Sequence, residues 1–287
     1  MNKAEPRVAV ITGASSGIGK ETAKALAAQG WRVIAIGRNP ARTEAAAAEI
    51  RAAAQNAQVD VLRADLALLA DARRVAGEIA ALTDRIDVLL NNAGGMAHEK
   101  VITAEGFEEN FASNHLGPFL LTTLLLPQLR KAAATAPAGS VRIINTSSDA
   151  SEMIPGLNFD DLQNLGNYSF GAAYCSGKLA NVLFAHGLAR RLAADGIVAH
   201  ALHPGTVMSN FFEHAPETTL NYIKQQQQLT PVQGADALIW LATAEEPGRS
   251  SGGYYHKREP HAANPFVTDA NADRLWAESE KLTGARI

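Results

Sequence analysis

The chain has 287 residues, 47% of them hydrophobic, which is enough for one large core, and a net charge of −3. Its 26 basic residues form no run, which argues against a nucleic-acid or membrane-surface protein. The single cysteine, Cys175, excludes an internal disulfide and fits a reducing compartment.

The chain enters an apolar run at Val8 without a charged-then-apolar signal pattern. Arg7–Thr12 reads as a strand and Gly17–Gln29 as a helix stopped by Gly30. Trp31–Ile36 is the next strand, followed by an Ala-rich helix over Ala41–Ala54. Val59–Arg63 is a third strand and Leu68–Leu82 a helix. Ile86–Leu90 is a fourth strand, closed by Asn91-Asn92-Ala93-Gly94. A long helical region runs from Glu105 to Ala133 with an interruption expected near Gly117-Pro118. Its most apolar part, Phe119–Leu126, is too short to span a bilayer, so a cytoplasmic protein with no membrane partner is expected. Val141–Thr146 is a fifth strand, and a helix carrying Tyr174 and Lys178 reaches Ala194. Ile197–Leu202 is a sixth strand, stopped by Pro204-Gly205. The next segment, residues 206–230, with its Gln225–Gln228 run, reads as a substrate lid or a pair of short helices. Pro231–Ala244 is helical, Gly252–His256 a last short strand, and Thr268–Leu282 a final helix.

Apolar strands separated by helices predict a parallel sheet covered on both faces. Right-handed crossovers make it doubly wound. The expected fold is therefore α/β: a single Rossmann domain over residues 1–287, with about seven strands.

The turn Thr12-Gly-Ala-Ser-Ser-Gly-Ile-Gly19 lies between the first strand and first helix, where such a fold binds a dinucleotide pyrophosphate. Its glycines, Gly13, Gly17 and Gly19, allow a tight turn and close phosphate approach. The helix N-terminus adds partial positive charge. The second strand ends Ile36-Gly37-Arg38, with no acid to hold a ribose 2′-hydroxyl. Arg38 is suited instead to a 2′-phosphate, with Ser15 and Ser16 as hydroxyl donors, so NADP(H) is expected over NAD(H).

Tyr174 and Lys178 stand four apart on one helix face. A cation beside a phenol favours the phenolate and lowers the pKa, so Tyr174 is expected to be a general acid/base. Asp160 and Asp161 are adjacent and read as a solvated loop rather than a catalytic pair. The eight histidines show no metal-ligand spacing, and no metal is expected. His115 and His203 read as structural, and Cys175 as a packed thiol. Alternation along a strand sends only one of Ser147 and Ser148 into a site.

Taken in order, Thr12–Gly19, Asp65-Leu66, Asn91-Asn92-Ala93-Gly94, Asn114-His-Leu-Gly117, Ser147-Ser148, Tyr174-xxx-Lys178 and Pro204-Gly205 resemble the short-chain dehydrogenase/reductase family over nearly the whole length. Gly17-Ile-Gly-Lys-Glu-Thr-Ala, Arg142–Ser148, Phe159-Asp-Asp-Leu-Gln163 and Ala173–Asn181 look like its retinol dehydrogenase-like cluster. The long stretch from Ser148 to Tyr174 also fits that cluster. The resemblance implies that Tyr174 handles the substrate proton, and that Lys178 lowers its pKa and holds the nicotinamide ribose. It further implies that Ser148 stabilises the substrate oxygen and that Asn114 positions a relay water. Asp65 and Leu66 would contact adenine. Gly13, Ser15, Ser16, Gly17, Ile18, Gly19, Asn91, Ala93 and Gly94 would line the cofactor groove. Val207 and Ser209, after Pro204 and Gly205, would meet the carboxamide.

The implied activity is NADP(H)-dependent hydride transfer on a small apolar aldehyde, ketone or alcohol. Reduction of a carbon–carbon double bond and non-catalytic nucleotide sensing are the alternatives on this fold. Met153, Leu157, Phe211 and Phe212 suggest an apolar pocket. Its walls are expected in Gly95–Val101, Asp149–Ala173 and Thr206–Leu229. Two departures from relatives stand out. The N-terminal membrane anchor of many relatives is not seen, and Gly177 replaces the usual Ala or Ser before the lysine. Glycine there costs about 1 kcal/mol of helix propensity, which predicts close approach of another element. Relatives pair through the Tyr174 helix and the helix at Pro231–Ala244, so a homodimer or homotetramer is expected.

Overall fold

The computed structural model describes residues 5–97, 99–209, 211 and 217–286. Phe212 of the expected pocket, His98 of one expected wall, and residues 210 and 212–216 of the expected lid lie outside the described residues.

The chain begins with β1 (Val8–Thr12), α1 (Gly17–Ala28), β2 (Arg32–Gly37), α2 (Pro40–Ala52), β3 (Val59–Arg63), α3 (Leu69–Leu82) and β4 (Val88–Asn91). After α4 (Glu109–Phe111) comes a π-helical turn, Ala112–Leu116, which runs into α5 (Gly117–Ala133). Then follow β5 (Arg142–Thr146), α6 (Phe170–Arg191), β6 (Val198–His203), β7 (Thr206–Val207), α7 (Glu217–Lys224) and β8 (Gln228–Leu229). The chain closes with α8 (Pro231–Thr243), β9 (Tyr254–His256), β10 (Glu259–Pro260) and α9 (Asp269–Thr283).

The main sheet has eight strands in the order β10-β9-β6-β5-β4-β1-β2-β3. Seven are parallel, and the eighth, β10, is a short antiparallel edge on β9 that the sequence pattern did not announce. β7 and β8 form a separate parallel pair.

Strand β1 shows why both faces must be covered. Val8 and Val10 pack with α3, α5, α6 and α9, while Ala9 and Ile11 pack with α1, α2 and α8. Successive side chains point to opposite faces, so an all-apolar strand needs helices on both sides. The order reverses between β1 and β4, and a crevice opens there at the strands' carboxyl ends.

The expected break near Gly117-Pro118 is not a break. The helix loosens into the π-helical turn one step earlier and continues through Pro118, whose missing N–H falls where that turn has already departed from the regular ladder. Gly117 lets this helix touch β3's exit, since a Cβ there would lie 2.0 Å from the Leu66 carbonyl oxygen. Trp276 of α9 packs on Phe119 and Phe184, so α9 covers part of α6, the helix through which pairing was expected. Among the described residues, no helix is long and apolar enough to cross a membrane.

Candidate active site

The crevice collects the ends of β1, β4, β5 and β6. Thr12, the last residue of β1, ties two of them together. Its hydroxyl donates to the Leu90 carbonyl at 3.2 Å and accepts from the Asn92 and Ala93 amides at 3.0 and 2.9 Å. The Asn92 side-chain amide returns a bond to the Thr12 carbonyl at 3.0 Å. Asn92 was quoted in a motif without a task. A polar residue at the end of an apolar strand was the available signal.

Gly13 turns with φ +68°, and a Cβ there would lie 2.9 Å from the Ala93 Cα. Gly19 faces the Gly13 carbonyl oxygen so closely that a Cβ would come within 2.4 Å. These contacts aim the start of α1 into the crevice. Ser16 caps that start, but its side chain makes no capping bond and stays available to a ligand. Ser15, Ser16, Gly17, Lys20, Arg42 and Ser209 line a cleft of about 370 Å³. The two basic residues were not expected there. Ile18 turns away from the cleft toward α8, where a Cβ on Gly234 would meet both Ile18 and Val207. Gly205 has φ +86°, which bends the chain after Pro204 and brings Ser209 opposite Gly17.

Arg38 stands at the end of β2 with its side chain 65% exposed. Its Nη1 lies 3.7 Å from both Asp65 Oδ2 and Glu109 Oε1. The strand end lacks an acid, yet the fold brings two beside it. The Asp65 Oδ1 accepts from the Ala67 amide at 3.1 Å, which fixes the carboxylate. Leu66 is buried in the core, so its backbone rather than its side chain borders the crevice. Asn91 also departs from expectation. Its amide donates to Thr122 Oγ1 and Asn145 Oδ1, both at 2.9 Å, so its side chain braces the sheet from within.

Asn114, Ser148, Tyr174 and Lys178 converge on the crevice. Asn114 sits in the π-helical turn, a distortion frequent at functional sites. Its Nδ2 donates to the Gly95 and Asn110 carbonyls, each at 2.9 Å, and its buried Oδ1 has no partner among the described residues. That bare oxygen faces Gly94 and Lys178: a Cβ on Gly94 would lie 2.5 Å from it and 3.1 Å from Lys178 Nζ. Gly177 behaves as predicted, because a Cβ there would meet Asn114 Cβ at 3.1 Å. The element it admits is the turn that carries Asn114.

The two serines divide as the strand pleat requires. Ser147 is buried and donates to the Lys178 carbonyl at 2.7 Å, whereas Ser148 lies beside the Tyr174 phenol. Phe211 covers Tyr174 with its ring centroid 5.8 Å away. Leu157 is buried in the core rather than in a pocket, and Met153 is exposed. Asp161 accepts the Leu165 and Gly166 amides in a loop, and Asp160 is solvated, which removes both from the site. His115 is buried among Phe111, Phe119 and Phe184, bonded to Ser279, and is structural. His203 lies near the site, as its place before Pro204 suggests, with Nε2 3.8 Å from Asp149 Oδ2.

The expected pKa shift of Tyr174 is reversed. Burial pushes the phenol up, the Ser148 hydroxyl lowers it only in part, and the Asp149 charge raises it further. Lys178 does not compensate, because burial pushes it down to about 8. Its Nζ lies 5.5 Å from the Tyr174 ring centroid, and among the described residues it donates to the Thr146 carbonyl at 3.3 Å. Burial weakens the lysine's hold on its proton, and its charge does not offset the burial of the phenol. The turn at Gly13–Gly19, the bare Asn114 oxygen and the under-bonded lysine together fit a nicotinamide dinucleotide.

The model of the short chain dehydrogenase family matches residues 7–219. Human retinol dehydrogenase 13 is 40% identical, over 97% of this chain and 85% of its own length. Human retinol dehydrogenase 12 is 41% identical, over 98% and 87%. Among solved structures, an uncharacterised protein from Mycobacterium paratuberculosis is 35% identical with a TM-score of 0.75, over 98% of this chain and 94% of that one. The glycine turn, the braced crevice and these likenesses agree: the chain belongs to the short-chain dehydrogenase/reductase family of oxidoreductases, within its retinol dehydrogenase-like cluster.

Proposed function

We propose that this chain is an NADP(H)-dependent carbonyl reductase or alcohol dehydrogenase acting on apolar aldehydes, ketones or alcohols. The observation that carries the reading is the convergence of Ser148, Lys178 and Asn114 around a buried, protonated Tyr174. When bound, the nicotinamide supplies or accepts the hydride. Tyr174 holds a proton at its phenol oxygen, and burial keeps that proton in place at neutral pH, which suits donation to a carbonyl oxygen. Ser148 donates a hydrogen bond to the same oxygen as negative charge develops there. Lys178, poised near pKa 8, moves a proton back toward the phenol, and the bare Asn114 Oδ1 holds the path beside it. The ammonium also binds the ribose.

Gly13, Ser15, Ser16, Gly17 and Gly19 would hold the cofactor phosphates, with Arg42 and the Glu49-paired Lys20 beside them. Arg38 selects the 2′-phosphate: it is exposed, and its ion pairs at 3.7 Å are loose enough to exchange. Asp65 would border the adenine, and Val207 and Ser209 would border the carboxamide. The segment over 206–230 serves as a lid, supported by Phe211 above Tyr174. Pairing into a homodimer or homotetramer through α8 is part of the reading, because Val232 there is 64% exposed. A cytoplasmic location is also part of it.

Tyr174→Phe tests the mechanism. Carbonyl-dependent NADPH oxidation should fall roughly 10²–10⁴-fold while NADPH still binds. Near-normal turnover would sink the assignment. Turnover of an apolar aldehyde by the unaltered chain also separates this reading from double-bond reduction and from nucleotide sensing.

A further inference from the structure

This inference rests on the oxidoreductase reading, which asks Ser148 to donate to a substrate oxygen. A serine hydroxyl has one proton and two lone pairs. Here the proton is engaged, because Ser148 Oγ donates to Asp149 Oδ1 at 2.8 Å. The Ala150 amide donates to the same oxygen at 3.2 Å. The Tyr174 phenol lies within hydrogen-bonding reach. As it stands, Ser148 has nothing left to give a carbonyl.

We infer that Asp149 is a positioning residue: its carboxylate holds the Ser148 proton while the site is empty and yields it when a carbonyl oxygen enters, so that Asp149 sets how tightly carbonyl substrates are captured.

The surroundings of Asp149 explain why this hold is firm and yet reversible. A hydroxyl bonded to a carboxylate is held more strongly than one bonded to water or an amide. Asp149 makes no lysine or arginine ion pair among the described residues, and its nearest cationic candidate is His203 Nε2 at 3.8 Å. Burial pushes His203 down to about 4, and the ring stacks on His256 with centroids 4.7 Å apart. At neutral pH that histidine is uncharged and leaves the carboxylate to the serine. Beyond it, His256 adjoins His261, which pairs with Glu152 at 3.1 Å. The Asp149 side chain is 52% exposed, so water can replace the serine once the proton is withdrawn.

Asp149 also acts on the second group that would meet the carbonyl. After burial, its charge adds to the forces that keep the Tyr174 proton in place. One carboxylate thus occupies the serine's donor and preserves the tyrosine's. The residue pattern did not signal this role, since Asp149 read only as the first residue of an expected pocket wall.

The test uses the full chain loaded with NADPH, with octanal, decanal and acetophenone as probes, following KM for whichever is turned over fastest. Asp149→Asn keeps the shape and removes the charge; Asp149→Ala removes the acceptor. Both should lower the carbonyl KM about fivefold, the difference between a charged and a neutral acceptor, with the NADPH KM unchanged. In a Ser148→Ala background the same substitutions should leave the carbonyl KM where it is, because the coupling runs through that hydroxyl. An unmoved or raised carbonyl KM in both single variants would overturn the inference. An equal fall without Ser148 would overturn it too, since Asp149 would then act on the substrate directly. Melting temperatures control for folding, and the exposed turn favours both variants folding. A wild-type chain that reduces no carbonyl overturns the oxidoreductase reading and this inference together. A working enzyme with an unmoved KM overturns this inference alone.

Discussion

On one side of Tyr174 lie Asn114 and Lys178, 0% and 3% exposed; on the other lie Ser148 and Asp149, where the carboxylate is about half in water. Among the described residues, the buried side holds an amide oxygen without a donor and an ammonium without a counter-ion. Its polar groups are fixed by close packing of the π-helical turn on α6, through Gly177 and Gly94. The wet side is held by exchangeable hydrogen bonds among Ser148, Asp149 and Ala150. The difference teaches that, on the proposed function, this chain pre-organises the groups that would face the cofactor and leaves adjustable those that would face the substrate. Low dielectric is costly for an unpaired group, so the buried side stores a demand for a polar ligand. The wet side can change partners at little cost.

Three measurements press on that contrast. The largest effect is expected at the far end of the cofactor side. Arg38→Ala should lower the preference for NADP over NAD by roughly tenfold to a hundredfold, the worth of a charged hydrogen bond. Ratios of kcat/KM for the two cofactors check it, and an unchanged ratio would remove Arg38 from the 2′-phosphate.

Next comes the strain of the buried ammonium. Lys178 is pushed from its ordinary 10.5 to about 8, so the folded chain binds fewer protons there than the unfolded one between those values. Stability from this group therefore rises as pH climbs through about 8 and is lower below it. Chemical denaturation of cofactor-free wild type and Lys178→Met between pH 7 and ~9.5, below where exposed tyrosines titrate, checks the sign. The wild type should gain on the variant as pH rises, and parallel curves would mean the lysine keeps its charge.

The smallest effect is expected at Gly177. An alanine there would gain helix propensity, about 1 kcal/mol, and lose part of it to the 3.1 Å contact with Asn114 Cβ. A net gain of roughly 0.5 kcal/mol with turnover retained is expected. A loss above ~2 kcal/mol in thermal or urea unfolding would show that the π-helical turn cannot yield.

Much of this was legible in the residues. The glycine turn, the alternation of apolar runs with helices, and the Tyr174–Lys178 pair follow from local pattern, while Asn114 and Ser148 were implied by the resemblance to the family. So does Gly177, because an unexplained glycine in a helix signals a close neighbour. The two serines were separable only in principle: the pleat says that they diverge, and the Lys178 carbonyl decides that Ser147 is the structural one. The side chains of Asn91 and Leu157 turn into the interior, which their place in the sequence does not signal. Asp65 and Glu109 reach Arg38 from separate segments, and sequence distance hides such a meeting.

The residues alone determined the doubly wound fold, its glycine turn and the shared face of Tyr174 and Lys178, because backbone conformation and hydrophobic period are local properties. Only the tertiary structure decided the charge states within the site. The tyrosine's pKa was expected to fall beside a lysine four residues away, and it rises, because burial outweighs proximity when the lysine is itself stripped of water. Proximity along a helix can be counted from a sequence; desolvation is set by everything that packs around the pair.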